Sequence, residues 1–117
     1  MKSILFYSPD FSMCYSLLMY LQDKFNVTTT TDIDIVRSLT KNPAFDIILI
    51  DAEPSADLES ICKTIKDSGK SIPVILTYVY QNHMKDMDTT IRRYVNSVFY
   101  KPFDLNEVSK SLTSLAF

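Results

Sequence analysis

The stretch IILID, Ile47 to Asp51, sets four branched aliphatic residues in a row and ends them on a carboxylate. Successive side chains of a strand point to opposite faces, so a strand with one wet face alternates apolar and polar residues. This run offers neither face to water. It belongs in a strand covered on both sides, as the inner strands of a parallel sheet are. SILFYS (Ser3–Ser8) and IPVILTY (Ile72–Tyr78) repeat the pattern. With 117 residues, 46% of them hydrophobic, the chain is long enough to cover such strands in one core, and a single domain over residues 1–117 is expected.

Between the runs the apolar spacing lengthens to that of a helix. Cys14, Leu17, Leu18, Leu21 and Phe25 share one helical stripe, as do Leu58, Ile61, Cys62 and Ile65, and Met84, Met87, Ile91 and Val95. Asp104 is placed to cap a last helix, with Glu107 three residues on and Leu105, Val108, Leu112 and Leu115 as its buried face. The β-branched stretch from Asn26 to Thr30 and the short SVFY (Ser97–Tyr100) read as strands, and Ile33, Val36 and Leu39 as a short helix before Pro43. Five strands alternating with five helices call for an α/β fold: a doubly wound five-stranded parallel sheet in the order 2-1-3-4-5, flavodoxin-like, with right-handed crossovers.

Several function classes drop away. The formal net charge of −2 is spread without a basic block, so neither direct nucleic-acid binding nor a membrane patch is indicated. No apolar run reaches the ~20 residues that span a bilayer and no signal peptide opens the chain, so a cytoplasmic location is expected. Cys14 and Cys62 fit no metal or redox spacing and read as small buried hydrophobes. The lone glycine, Gly69, leaves no Gly-rich phosphate loop, and the lone histidine, His83, has no ligand partners near it in sequence.

In an open α/β sheet, chemistry gathers beyond the carboxyl ends of the strands. Three strands end there in polar groups: Asp51 after IILI, Thr77 after PVIL and Lys101 after SVFY. Taken with their order and separations, the motifs IILID, VILTY and YKPF resemble those of bacterial response regulator receiver domains over essentially the whole chain. The resemblance implies that Asp51 is a phosphoacceptor, that Thr77 and Lys101 contact the phosphoryl group, and that Pro102 follows a cis peptide bond. It also implies a sensor histidine kinase or phosphotransfer protein as partner, no enzymatic activity beyond the phosphoryl exchange, and a metal ion beside Asp51.

The departures from that family are concentrated around the metal. Receivers end the first strand in two acids that bind Mg²⁺, whereas this chain reads YSPDF. If the first helix sets the register, Asp10 stands for the second acid; if the strand does, Ser8 and Pro9 replace both. Asp10 is therefore either a metal ligand with Asp51 or the cap of the first helix. Pro54 comes one place early in the following loop, and weak Mg²⁺ binding is expected. Tyr78 follows Thr77 where the family has a small residue, and Val98 stands three before Lys101 where it has a switch aromatic. The resemblance places the partner surface, and self-association, on the fourth helix, fifth strand and fifth helix, with Met84, Met87, Ile91, Tyr94, Phe99 and Phe103 as candidates. A phosphorylation-independent protein-binding or dimerisation module of the same fold is the competing reading. A flavin carrier is a third, disfavoured because SPDFSM sets a proline where a phosphate loop needs N–H groups.

Overall fold

A computed structural model describes residues 1–38, 45–68 and 72–116. Five strands, β1 (Ser3–Tyr7), β2 (Asn26–Thr30), β3 (Ile47–Asp51), β4 (Val74–Tyr78) and β5 (Ser97–Tyr100), form one sheet in the order β2-β1-β3-β4-β5. Every pair is parallel. The helices are α1 (Phe11–Leu21), α2 (Ile33–Ser38), α3 (Ala56–Asp67), α4 (Lys85–Ile91) and α5 (Leu105–Ala116), and a 3-10 turn (Asn82–Met84) leads into α4. The expected architecture is the one observed. Leu39, expected on α2, and Gly69 lie outside the described residues.

The sheet separates two cores, and strand parity decides which side chain enters which. Leu5, Ile48, Ile50, Val74, Leu76 and Tyr78 face the layer of α2, α3 and α4, meeting Val36, Leu58, Ile61, Cys62, Ile65, Met84 and Ile91. Ile4, Phe6, Ile47, Leu49 and Ile75 face α1 and α5, meeting Cys14, Leu17, Leu21, Val108 and Leu112. All five residues of β3 are buried, as a run without a polar face requires. Both cysteines are free and buried.

Short polar side chains start the helices by accepting the backbone N–H groups that have no partner in the first turn. Asp10 Oδ1 accepts from Ser12 N–H at 2.9 Å, Ser55 Oγ from Leu58 N–H at 3.0 Å, and Asp104 Oδ1 from Asn106 N–H at 2.8 Å. The Glu107 carboxylate pairs with Lys110 at 3.7 Å.

The expected interaction surface needs correction at two positions. Met84 and Ile91 are only 6% and 1% exposed and belong to the core beneath α4, because their spacing is that of the buried stripe. Met87, Tyr94, Phe99 and Phe103 are half-buried, the last three packed against the cores.

Candidate functional site

β1, β3 and β4 run side by side in a register that pairs Tyr7 with Ile50 and Asp51 with Thr77. One residue beyond Tyr7, Ser8 falls beside Asp51, so three polar side chains form a row across the carboxyl edge. Ser8, Asp51 and Thr77 are 0%, 5% and 0% exposed. Lys101, just past β5, reaches over from the neighbouring strand end, its backbone N–H bonded to Tyr78 C=O at 2.8 Å. The Lys101–Pro102 peptide bond is cis.

A carboxylate this deeply buried is costly unless its oxygens are satisfied. Here both are. Thr77 Oγ1 donates to Asp51 Oδ1 at 3.0 Å, and Ser8 Oγ donates to Oδ2 at 2.7 Å. Lys101 Nζ stands 3.2 Å from Oδ1 and 3.3 Å from Oδ2. Burial pushes the neighbouring Tyr7 phenol above its ordinary value, and the Asp51 charge adds to the shift. Burial likewise raises the Cys14 thiol, whose Sγ lies 3.7 Å from Ser8 C=O. A hollow of ≈ 170 Å³ opens above the carboxylate, bordered by Pro9, Ala52, Glu53, Val79 and Lys101.

Asp51, Thr77 and Lys101, singled out in the sequence, are thus brought together, while Asp10 is not. The Asp10 carboxylate caps α1, and only its backbone N–H turns to the site, donating to Ser8 Oγ at 3.1 Å. The member of the row that charge-based reasoning undervalues is Ser8. Its signal is present as parity, since Ile4, Phe6 and Ser8 lie on one face of the extended strand. Among the described residues, no three His, Cys, Asp or Glu side chains gather as a metal cluster. Mg²⁺ demands near-octahedral oxygen coordination. The hollow offers two carboxylates, Asp51 and Glu53, and an ammonium already lies against both Asp51 oxygens, a set that does not fit a resident magnesium ion.

A second polar cluster lies behind the site on the α4 side, unanticipated in the sequence. Tyr78 turns away from the Asp51 row, and its hydroxyl donates to Asp88 Oδ1. Tyr100, its register partner on β5, also bonds Asp88 Oδ1, at 3.0 Å. Arg92 bonds Asp88 Oδ2 through Nε at 3.0 Å and the Tyr100 hydroxyl through Nη2 at 2.9 Å. The hydrogen bond to Tyr100 and the partnership with Asp88 raise the Arg92 guanidinium above its ordinary value. Val98 packs into the core beneath this cluster.

No protein-family model and no curated protein matches this chain. Solved structures do. The receiver domain of Francisella response regulator 1452 superimposes with a TM-score of 0.82 at 18% identity, over 99% of this chain and 97% of that one. The receiver domain of a sensor histidine kinase from Pseudomonas aeruginosa, solved with magnesium coordinated in its active site cleft, gives 0.74 at 20% identity over 98% and 97%. A member of a family of redox sensors in the streptococci, described as evolved from two-component response regulators, gives 0.83 at 14% identity over 99% of this chain and 51% of that one. At such identities the likeness is one of fold, and the fold of this chain is that of response regulator receiver domains.

Proposed function

We propose that this chain is a receiver domain of a two-component phosphorelay that accepts a phosphoryl group on Asp51 from a sensor histidine kinase or phosphotransfer protein. The observation that carries the reading is the convergence of Ser8, Thr77 and Lys101 on one buried carboxylate. In the transfer, an Asp51 oxygen attacks phosphorus and forms the O–P bond while the P–N bond to the donor imidazole breaks, its electron pair leaving on nitrogen. The new group carries about −1.5 to −2 charge. Lys101 offsets part of that charge, and the two hydroxyls are within reach of phosphoryl oxygens. The attacking oxygen must first give up a bond to Ser8 or Thr77, and no carboxylate pair assembles a cation to help. Transfer is therefore slow.

A second reading has its own support. With Ser8 standing where receivers carry an acid, the Asp51 carboxylate is fully partnered without a phosphoryl group or a metal, which suits a phosphorylation-independent protein-binding module. Incubation with a small phosphodonor, with and without Mg²⁺, read by intact mass, separates the two. The expected outcome is a single phosphoryl adduct that accumulates slowly, gains little from Mg²⁺ and is absent from Asp51→Asn. No adduct under either condition assigns the chain to the second reading.

A further inference from the structure

The ends of β4 and β5 carry polar side chains on both sides of the sheet. Thr77 and Lys101 meet Asp51 on one side, while Tyr78, the residue after Thr77, and Tyr100, the residue before Lys101, turn by strand alternation to the other. There one carboxylate takes both phenols. Asp88 of α4, 8% exposed, accepts from the Tyr78 hydroxyl and, at 3.0 Å, from the Tyr100 hydroxyl, both on Oδ1. Arg92, one turn further along, donates through Nε to Asp88 Oδ2 at 3.0 Å and sets its guanidinium 5.6 Å from the centre of the Tyr100 ring. None of these four side chains bonds Asp51, whose partners are Ser8, Thr77 and Lys101.

We infer that Asp88 is a positioning residue for the chemistry at Asp51, acting from the far side of the sheet. The inference rests on Asp51 as the phosphoacceptor and adds what holds the reacting groups in place. The connection is covalent and short: one peptide unit joins Tyr78 to Thr77 and another joins Tyr100 to Lys101, so two phenols anchored on one oxygen fix the two strand ends relative to each other. Main-chain bonds belong to the same frame. Lys101 N–H donates to Tyr78 C=O at 2.8 Å, and Ala52 N–H, next to Asp51, donates to Thr77 C=O at 3.1 Å. β5 needs such a tie most, being a four-residue strand at the edge of the sheet with no fully buried residue. The tie through Tyr100 keeps Lys101 Nζ at 3.2 Å from Asp51 Oδ1.

Removing Asp88 has two opposed effects. A looser β4 lets Thr77 release Oδ1 more easily, and one ordinary hydrogen bond is worth about fivefold in rate. A looser β5 lets Lys101 stray from the place where phosphoryl charge develops, and losing one preorganised contact of that kind costs ~10²–10³-fold. The second effect is the larger, so loss of Asp88 slows transfer. This is the action of a fixed frame on a rate, and it requires no movement of α4.

Phosphorylation by phosphoramidate, read by intact mass, tests it on wild type, Asp88→Ala, Tyr78→Phe and Tyr100→Phe. Ile65, in the core on the same side of the sheet but outside the cluster, supplies the control as Ile65→Val or Ile65→Ala, whichever matches the urea midpoint of Asp88→Ala. Circular dichroism confirms that each protein is folded. In the unphosphorylated proteins, the NMR signal of the Asp51 carboxylate carbon reports its contacts with Thr77 and Lys101. Asp88→Ala is phosphorylated tenfold or more slowly and moves the Asp51 signal, the two Phe variants fall between it and wild type, and the Ile65 control matches wild type in both readouts. A wild-type rate and signal in Asp88→Ala overturns the inference, as does faster transfer in that variant or an equal slowing in the Ile65 control. If wild type itself takes no phosphoryl group, the phosphoacceptor reading fails on its own. The Asp51 signal then decides the positioning: movement in Asp88→Ala but not in the Ile65 control upholds it, and an unmoved signal overturns it.

Discussion

Ser8 is the residue on which the chemistry of the site turns. Its hydroxyl is wholly buried and donates to Asp51 Oδ2 at 2.7 Å, so it satisfies an oxygen that Lys101 Nζ also approaches, at 3.3 Å, without adding the negative charge that would draw a metal cation. Exchanging it for a carboxylate reverses both effects. In Ser8→Asp, two acids are held side by side, which costs about 1–3 kcal/mol of stability in the absence of metal, a cost that a divalent cation offsets. We expect Ser8→Asp to melt below wild type in chelator and to gain several degrees on adding millimolar Mg²⁺, while wild type shifts little, since ligand binding raises stability only as [L] exceeds Kd. Thermal melts with and without Mg²⁺ check this. A wild-type melting temperature that already rises steeply at low Mg²⁺ would show a competent metal site.

The element that sets the response of the fold is α4. It has only seven residues, and Met84 at its N-terminus supplies no side-chain cap, so little holds it from within. Tertiary bonds hold it instead. The Tyr78 and Tyr100 hydroxyls, from adjacent strands, both bond Asp88 on the helix, and Arg92 closes the cluster, with the Tyr78 and Tyr100 rings 5.6 Å apart edge to face. A helix pinned to two strands resists the displacement a phosphoryl switch requires, so we expect the coupling between Asp51 and the α4 surface to be below ~1 kcal/mol. Asp88→Ala strips the cluster of its acceptor, leaving the buried Tyr78 hydroxyl unsatisfied at a cost of about 1–3 kcal/mol. Hydrogen exchange should show α4 amides opening faster in Asp88→Ala than in wild type, with β1 and β3 little changed. Phosphorylation should alter α4 exchange in the variant more than in wild type. Equal protection of α4 in both proteins would mean that the cluster is not what restrains it.

At the scale of the whole molecule, the two cores hold protons as well as apolar surface. Burial pushes the Cys62 thiol up to about 12 from 9.0, and raises Tyr7 and Cys14 in the same direction. Each of these groups is neutral when protonated, so the folded chain keeps its proton at a pH where the unfolded chain has lost it. Their contribution to stability is complete below the unfolded values and is lost as pH climbs through the folded ones. For Cys62 that window runs from 9.0 to about 12. Urea midpoints should therefore be nearly level from neutrality to the bottom of that window. Above it they should fall, as stability drops by up to ~1.4 kcal/mol per pH unit for each group that titrates. Cys62→Ala should be less stable at neutral pH, through the cavity it leaves, yet show a shallower alkaline slope. Parallel slopes for the two proteins would remove Cys62 from the account.

The alternation of fully apolar runs with helical stripes was enough to predict the five strands, the five helices and a doubly wound parallel sheet, because a run such as Ile47–Ile50 has to be covered on both faces and parallel neighbours need crossovers; the order β2-β1-β3-β4-β5 is one of the common orders that this pattern allows, and the structure has it. The meeting of Asp51, Thr77 and Lys101 was legible for the same reason, each being the first polar residue beyond an apolar strand. The roles of the polar residues past the end of β1 were not. Ser8 and Asp10 both stand close to that end, and only the pairing of Tyr7 with Ile50 places Ser8 beside Asp51 and leaves Asp10 to cap α1. Periodicity marks a stripe without saying what lies on either side of it, so Met84 and Ile91 proved to be core, and the exposure of the outward row of Phe11, Tyr15 and Met19 on α1 emerged only from the packing. The Asp88 cluster draws on β4, α4 and β5 at once, and hydrogen bonds between elements leave no periodic trace in the chain. Local patterns carry the elements and their order; which side chains meet depends on register and on what covers each face, and those belong to the tertiary structure.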